Sequence, residues 1–456
     1  MALRLSKRLV RFTLMVGGFL ILLITLSSHS STKEYMPQPL DISSFSTPLA
    51  NFGNSISNTI LDAAGMEAES QRMEAESNAE VNGEKVLTGD EIPDDLLDEQ
   101  AKALKDTANA AGIEDMSKSV MDFIKPSFEN RGNRPKACFV TLVRNSELDG
   151  IVKSIRKVQE RFNKQFMYDW VFLNDEEFTE NFKETILHEI PTSVVKFGVI
   201  PKEHWSYPDY IDQSKAADTR IKMADIIYGA SESYRHMCRF QSGFFWRHKL
   251  LDDYDWYWRV EPDINLYCDI KYDVFKWMQD NEKVYGFTIT IHEYLATIPT
   301  LWKTSMDFFK KHPEYVDKDN LMEFISGDKG EHYNLCHFWS NFEIANLNLW
   351  RSPAYTEYFD ALDHAGGFFY ERWGDAPVHS IAASILLPKD KIHYFSNIGY
   401  HHPPYDNCPI DDRVWAENNC DCQQKNDFTF KGYACGKEYY AAQKMDRPPN
   451  WEEYSH

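Results

Sequence analysis

Glu261 and Asp263 are held one residue apart by Pro262, at the end of the aromatic run Asp255-Trp256-Tyr257-Trp258-Arg259-Val260. Two carboxylates at the mouth of a sheet suit Mg²⁺ or Mn²⁺, ions that take a few carboxylates plus the phosphate oxygens of a substrate. Proline fixes its own φ and biases Glu261 towards extended geometry, so the spacing of the pair is rigid. The bland alternative is an ordinary exit from a strand, and Glu-Pro-Asp alone does not separate the two.

Three other strings carry candidate chemistry. Glu343 sits inside Trp339-Ser340-Asn341-Phe342-Glu343-Ile344-Ala345, whose apolar neighbours predict a partly buried carboxylate held by Asn341 or a neighbour. Burial shifts pKa values and is common at catalytic sites, yet a glutamate on the polar face of a strand fits the same string. Asp375, in Trp373-Gly374-Asp375-Ala376-Pro377, reads as the N-cap of a helix that continues through Leu387, with Pro377 in its first turn. His401 and His402 precede Pro403 and Pro404 in a stiff, non-helical loop. One imidazole could complete a metal shell whose carboxylates come from elsewhere; a surface loop is the plainer reading.

These side chains need a scaffold, and the pattern is α/β. Residues 137–143 form a continuous apolar run, the mark of a strand buried on both faces. Ser146 with Asp149 resembles a helix cap, and Leu148, Ile151, Val152, Ile155, Val158 and Phe162 follow at helical spacing. Residues 169–174 predict a second strand, 194–200 a third, 217–251 a helical stretch, and 284–291 a further strand. This alternation predicts parallel βαβ units. In open sheets of that kind ligands sit beyond the carboxyl ends of the strands, where Arg144, Asn174 and the Glu-Pro-Asp segment all fall.

Composition divides the 456-residue chain. Arg4, Lys7, Arg8 and Arg11 precede an uncharged run over 12–26, shorter than the roughly 20 residues of a usual spanning helix. A cleaved signal peptide is one reading, but Ser27 to Ser31 show no clear Ala-x-Ala site. The expectation is an uncleaved signal anchor over 12–27, with a cytosolic tail at 1–11 and everything beyond it luminal by the positive-inside rule. Residues 28–130 read as a flexible acidic stem. Between 31 and 130 lie 20 acidic and 7 basic side chains, and Met66-Glu67-Ala68-Glu69-Ser70 recurs as Met73-Glu74-Ala75-Glu76-Ser77. Residues 131–456 hold all 12 tryptophans and all 8 cysteines, enough for one large catalytic domain. The net charge of −21 argues against a nucleic-acid partner. An even cysteine count in a luminal chain predicts disulfides, with the pairings open. A zinc site in the terminal cluster is the rival, but Cys420-Asp421-Cys422 lacks the usual ligand gap. The chain contains no Asn-x-Ser/Thr sequon.

Read in order, Thr141 to Asn145, Tyr257 to Asp263, Ser340 to Ile344, Arg372 to Asp375 and Gly399 to Pro404 resemble the fungal α-1,2-mannosyltransferases of glycosyltransferase family 15. The likeness spans nearly all of 131–456. It implies a GT-A fold, a Rossmann-like mixed sheet flanked by helices. It implies transfer of mannose from GDP-mannose with Mn²⁺ and retention of anomeric configuration. The acceptors implied are α-mannosides of O- or N-linked glycoproteins, cell-wall mannoproteins among them. The location implied is the Golgi membrane, as a single-pass type II protein beside other mannosyltransferases. By the same resemblance Glu261 and His402 are metal ligands, with His401 as the fallback, and Asp263 helps position the metal or nucleotide. Arg144 and Tyr234 face the donor, Glu343 matches the proposed nucleophile, and Asp375 matches an aspartate needed for activity. A mannosylphosphate transferase on the same scaffold, or a mannan-binding protein without turnover, would share much of this pattern. Candidate acceptor lining is Trp205 to Tyr210 and 292–334.

Overall fold

The computed structural model describes residues 134–456. The expected tail, anchor and stem fall outside the described residues. Among those described, no helix is long and apolar enough to cross a membrane.

Strands β1 (Ala137–Leu142), β2 (Asp169–Asn174) and β3 (Val195–Val199) form where the apolar runs predict them. Helix α1 (Leu148–Val158) links the first two, and helix α2 (Glu232–Gly243) precedes β4 (Trp256–Arg259). Then come β5 (Asn265–Leu266), β6 (Tyr285–Phe287), β7 (Thr290–His292), β8 (Cys336–Phe338) and β9 (Ile344–Asn346). Helices α3 (Pro353–Ala365) and α4 (Asp375–Leu386) lead to β10 (Ile392–Tyr394), β11 (Tyr400–His402) and β12 (Tyr405–Asn407).

The main sheet has seven strands in the order β10-β6-β9-β4-β1-β2-β3. β1 runs parallel to β2 and β4, while β9 is antiparallel between β4 and β6. This is the mixed, helix-flanked α/β sheet expected of a GT-A fold. Its central strands are buried on both faces, while the edge strand β3 is largely half-buried. Cys138 and Val140 join Val171, Leu173 and Tyr257 in one core, while Phe139 joins Trp170, Phe172 and Trp258 in the other. Phe139 stacks on Trp170 with centroids 4.4 Å apart. Fully burying one such side chain stabilises the fold by roughly 1.5–3 kcal/mol.

Two topological details build the site. The antiparallel β9 places Glu343, just before it, between β4 and β6. A second sheet, β12-β11-β5, pairs Tyr400 with Leu266 and His401 with Asn265, which returns the histidine strand to the segment just after Glu-Pro-Asp.

Several local expectations are corrected. Ser146 does not cap α1: Asn145–Glu147 is a short 3-10 turn, closed by the Arg144 amide donating to Glu147 Oε2 at 2.8 Å. The helical stretch over 217–251 is broken, with one helix at Gln213–Lys222 and α2 restarting behind the Ser231 cap. Between them Tyr228 takes a positive φ of 57°, incompatible with a continuing helix. The 284–291 strand divides into β6 and β7, which join different sheets. Six cysteines, not eight, form disulfides: Cys268–Cys420, Cys336–Cys435 and Cys408–Cys422. Cys138 and Cys238 remain free, fully buried in the first core as small apolar side chains.

Candidate active site

β4 delivers Arg259 to the end of the sheet with only 7% of its side chain exposed. A guanidinium buried to that degree needs anionic partners, and it has two. Nη1 donates to Asp375 Oδ2 at 2.6 Å, and Nη2 donates to Glu261. Ser340 Oγ also donates to Asp375 Oδ2, at 2.7 Å. Burial works against ionisation of Glu261, but Arg259 and then His402 outweigh it and hold the carboxyl at about 2. Asp375 is lowered in the same way, with burial opposed first by Arg259 and then by His379. Both are anions at neutral pH. Asp375 is the first helical residue of α4, and the cap position falls to Gly374. Its carboxylate is drawn to Arg259 and Ser340 instead of the helix amides, which corrects the N-cap reading.

His402 Nε2 lies 3.3 Å from Glu261 Oε2, and about a quarter of each side chain is exposed. Cis ligands of an octahedral ion at about 2.1 Å are about 3 Å apart, so the separation suits one Mn²⁺-sized cation held by both. His401 points elsewhere: its Nδ1 meets Asp406 Oδ1 at 2.6 Å. Adjacent residues of a strand face opposite ways, which leaves His402, and not His401, beside Glu261.

Asp263 is not brought to this cluster. Its carboxylate pairs with Lys153 of α1 at 3.3 Å, and its amide donates to the Gly150 carbonyl at 3.1 Å. Asp263 has a φ of 59°, a left-handed turn that aspartate tolerates. A Cβ on Gly150 would stand 2.8 Å from Asp263 Oδ2, so a larger residue there would push the Asp263 side chain aside. Asp263 thus pairs with Lys153, while Glu261 pairs with Arg259 and His402.

Glu343 is 1% exposed, and its carboxylate accepts three hydrogen bonds. Oε1 accepts from Tyr285 Oη and from His379 Nδ1, both at 2.8 Å, and Oε2 accepts from Tyr257 Oη at 2.9 Å. Trp350 Nε1 in turn donates to Tyr257 Oη at 3.0 Å. The expected partner Asn341 instead accepts from Tyr400 Oη at 3.1 Å. Glu343 meets the exposed cluster through the backbone, its carbonyl accepting from the Arg259 amide at 2.8 Å. Helix α4 joins the two centres, since Asp375 and His379 lie one turn apart on it.

Tyr234 lies on α2, stacked on Tyr228 at 4.5 Å, with the Arg372 guanidinium 5.3 Å from its ring centre. Burial first, and the nearby charges of Asp375 and Glu293 further, push its phenol well up, so it remains a hydroxyl donor. Arg144 reaches from the end of β1 to donate to Ser233 Oγ at the start of α2. These two thus share one rim.

Sequence reasoning quoted Arg259 without giving it a role, and missed Tyr257, Tyr285 and His379 as partners of Glu343. One signal was legible: His379 is the lone imidazole in a helix of mostly small and apolar side chains, four residues beyond Asp375. The tyrosines carry no such mark, because strand aromatics are ordinary core.

Comparison with known proteins gives concordant results. The family described as "Glycolipid 2-alpha-mannosyltransferase" matches residues 92–444. A glycolipid 2-alpha-mannosyltransferase of Saccharomyces cerevisiae is 61% identical over 456 residues, covering 100% of both chains. The solved structure of the S. cerevisiae mannosyltransferase Ktr4p in complex with GDP is 39% identical, with a TM-score of 0.64 over 69% of this chain and 83% of that one. Core-mannan synthase A of Aspergillus fumigatus, in its Mn/GDP form, is 36% identical, with a TM-score of 0.64 over 70% of this chain and 88% of that one. The chain belongs to the fungal α-1,2-mannosyltransferases of glycosyltransferase family 15.

Proposed function

We propose that this protein is a retaining α-1,2-mannosyltransferase that moves mannose from GDP-mannose to α-mannoside acceptors during O- or N-linked protein glycosylation. The observation that carries this is the Glu261–His402 pair at the open end of β4, 3.3 Å apart, with Arg259 holding Glu261 as an anion. A relative solved with manganese and GDP supports Mn²⁺ as the ion. When bound there, Mn²⁺ supplies charge neutralisation for the departing diphosphate.

The residues of the chain do the rest. Arg144 and Tyr234, on one rim, present a cation and a protonated hydroxyl to the donor. Asp375 holds Arg259 in place, and Arg259 in turn fixes Glu261, so both act by positioning the ligand. Asp263 braces the turn that carries Glu261 through its bonds to α1. Departure of a diphosphate needs no general acid, and the acceptor hydroxyl can lose its proton to the leaving group. Glu343 is closed to substrate by its three donors, an arrangement unlike a nucleophile awaiting covalent attack. Its buried charge favours front-face transfer, in which it stabilises the oxocarbenium-like centre electrostatically. The reading is completed by a signal anchor that holds the domain on the luminal side of the Golgi membrane.

The test is product analysis. The full chain is incubated with GDP-mannose, Mn²⁺ and methyl α-mannoside, and the products are read by NMR. An α-1,2 linkage with GDP released is expected. A phosphodiester with GMP released would identify a mannosylphosphate transferase, and no turnover would remove the enzyme reading.

A further inference from the structure

Resting on the mannosyltransferase reading, we propose that His379 is a positioning residue for the transfer: its Nδ1–H fixes the Glu343 carboxylate in the orientation from which its charge serves the sugar. The three donors of Glu343 are not equivalent. Tyr257 and Tyr285 come from β4 and β6, the strands on either side of β9, so they belong to the sheet that carries Glu343 itself. His379 comes from outside that sheet, from α4, and meets Oε1 at 2.8 Å. A phenol hydroxyl swings about its C–O bond, whereas an imidazole N–H is fixed in the plane of its ring. That plane is clamped. Trp350 stacks on it with centroids 4.3 Å apart, and the rings of Tyr355 and Phe245 close in at 6.0 and 6.3 Å. Trp350 is held in turn, since its Nε1 donates to Tyr257 Oη. Glu343, Tyr257, Trp350 and His379 thus form a closed ring of contacts.

Packing alone does not account for an imidazole here. His379 is fully buried, and its Nε2 has no hydrogen-bond partner among the described residues. A buried nitrogen without a partner destabilises a core. Val378, Ile381 and Ala382 fill neighbouring positions of α4 with side chains that carry no such penalty. A carboxylate can only accept, so Nδ1 is the protonated nitrogen that faces Glu343, and the orphaned Nε2 follows from committing the ring to that contact. The contact also joins two parts of the site. One turn earlier on α4, Asp375 holds Arg259, and Arg259 holds Glu261. Through His379, the helix that steadies the metal side sets the buried carboxylate as well.

The experiment replaces His379 with leucine, asparagine and glutamine in the full chain. Asparagine puts an amide N–H where Nδ1 stood, glutamine puts it one bond further out, and leucine has none. The kcat and KM for GDP-mannose, and the slow hydrolysis of GDP-mannose without acceptor, are measured in wild-type and Glu343→Gln backgrounds. His379→Leu should lower kcat and hydrolysis together, on the order of tenfold, with the KM for GDP-mannose within about twofold. His379→Asn should recover most of that loss and His379→Gln little of it. In the Glu343→Gln background His379→Leu should lower kcat no further, since it acts through that carboxylate. Where His379→Leu does not fold, the contrast between asparagine and glutamine decides. Equal turnover of His379→Asn and His379→Gln overturns the inference and leaves the transferase reading standing. A His379→Leu loss undiminished in the Glu343→Gln background, or one confined to KM, overturns it in the same way. A wild type that neither hydrolyses GDP-mannose nor transfers from it overturns the transferase reading, and the inference with it.

Discussion

Two carboxylates in this protein are built for opposite tasks. Glu261 keeps a quarter of its side chain exposed, and its partners are a guanidinium and an imidazole. Glu343 is 1% exposed, and its partners are two phenols and a histidine inside the core. The first has lone pairs facing the cleft and a strong hold on its charge. The second is closed off from solvent, held by three donors in the core, and acts through its field. Openness decides which carboxylate can be a ligand, and neither residue type nor its place at a strand end would have told them apart.

The largest effect should come from the open centre. Glu261→Ala removes a charged ligand and should lower turnover on the order of 10³-fold or more, while the melting temperature stays close to wild type because Arg259 keeps Asp375. EDTA should reproduce the loss in wild type; activity in EDTA equal to that in Mn²⁺ would defeat the comparison. Arg259→Ala strikes the link between the centres. It leaves Asp375 buried without its cation and should cost about 3–5 kcal/mol of stability by denaturant titration. A variant as stable as wild type would show that the guanidinium is not the keystone.

Glu343→Gln sharpens the other side. It removes the buried charge and turns an amide N–H₂ towards donors, so stability should fall by about 1–3 kcal/mol. The rate constant kcat should fall on the order of 10²-fold, with GDP-mannose affinity by calorimetry nearly unchanged. Near-normal turnover would leave Glu343 a core residue only.

The smallest effect lies outside both centres. Burial pushes Asp427 up to about 7, against hydrogen bonds from the Cys408 and Thr429 amides. The folded state then holds a proton that the unfolded state releases. Stability contributed by this group is present at low pH and is lost as pH rises from about 4 to 7. Asp427→Asn should flatten the melting temperature across that window, and an unchanged slope would assign it to other groups.

How much of this was legible in the sequence follows from the physics of each part. β1 and β2 announced themselves because strands buried on both faces must be continuous apolar runs. His402 and Glu261 were legible as ligand types, since few residue types bind a hard cation. Their partnership came only through the family resemblance, because it depends on β11 pairing with β5 across more than a hundred residues. The partner of Asp263 was not legible because local spacing says nothing about which way a turn aims a side chain; in the fold it pairs with Lys153 of α1. The donors of Glu343 were hidden as ordinary core aromatics on β4 and β6. Cys138 and Cys238 show the same limit, since an even count does not bring two thiols together.

The most direct measurement is Mn²⁺ binding, followed by electron paramagnetic resonance in the presence of GDP. Wild type and Glu343→Gln should both take up one ion, and Glu261→Ala and His402→Ala should each lose it. Uptake that survives both Glu261→Ala and His402→Ala, or that fails in Glu343→Gln, would contradict the assignment of the open carboxylate as the ligand.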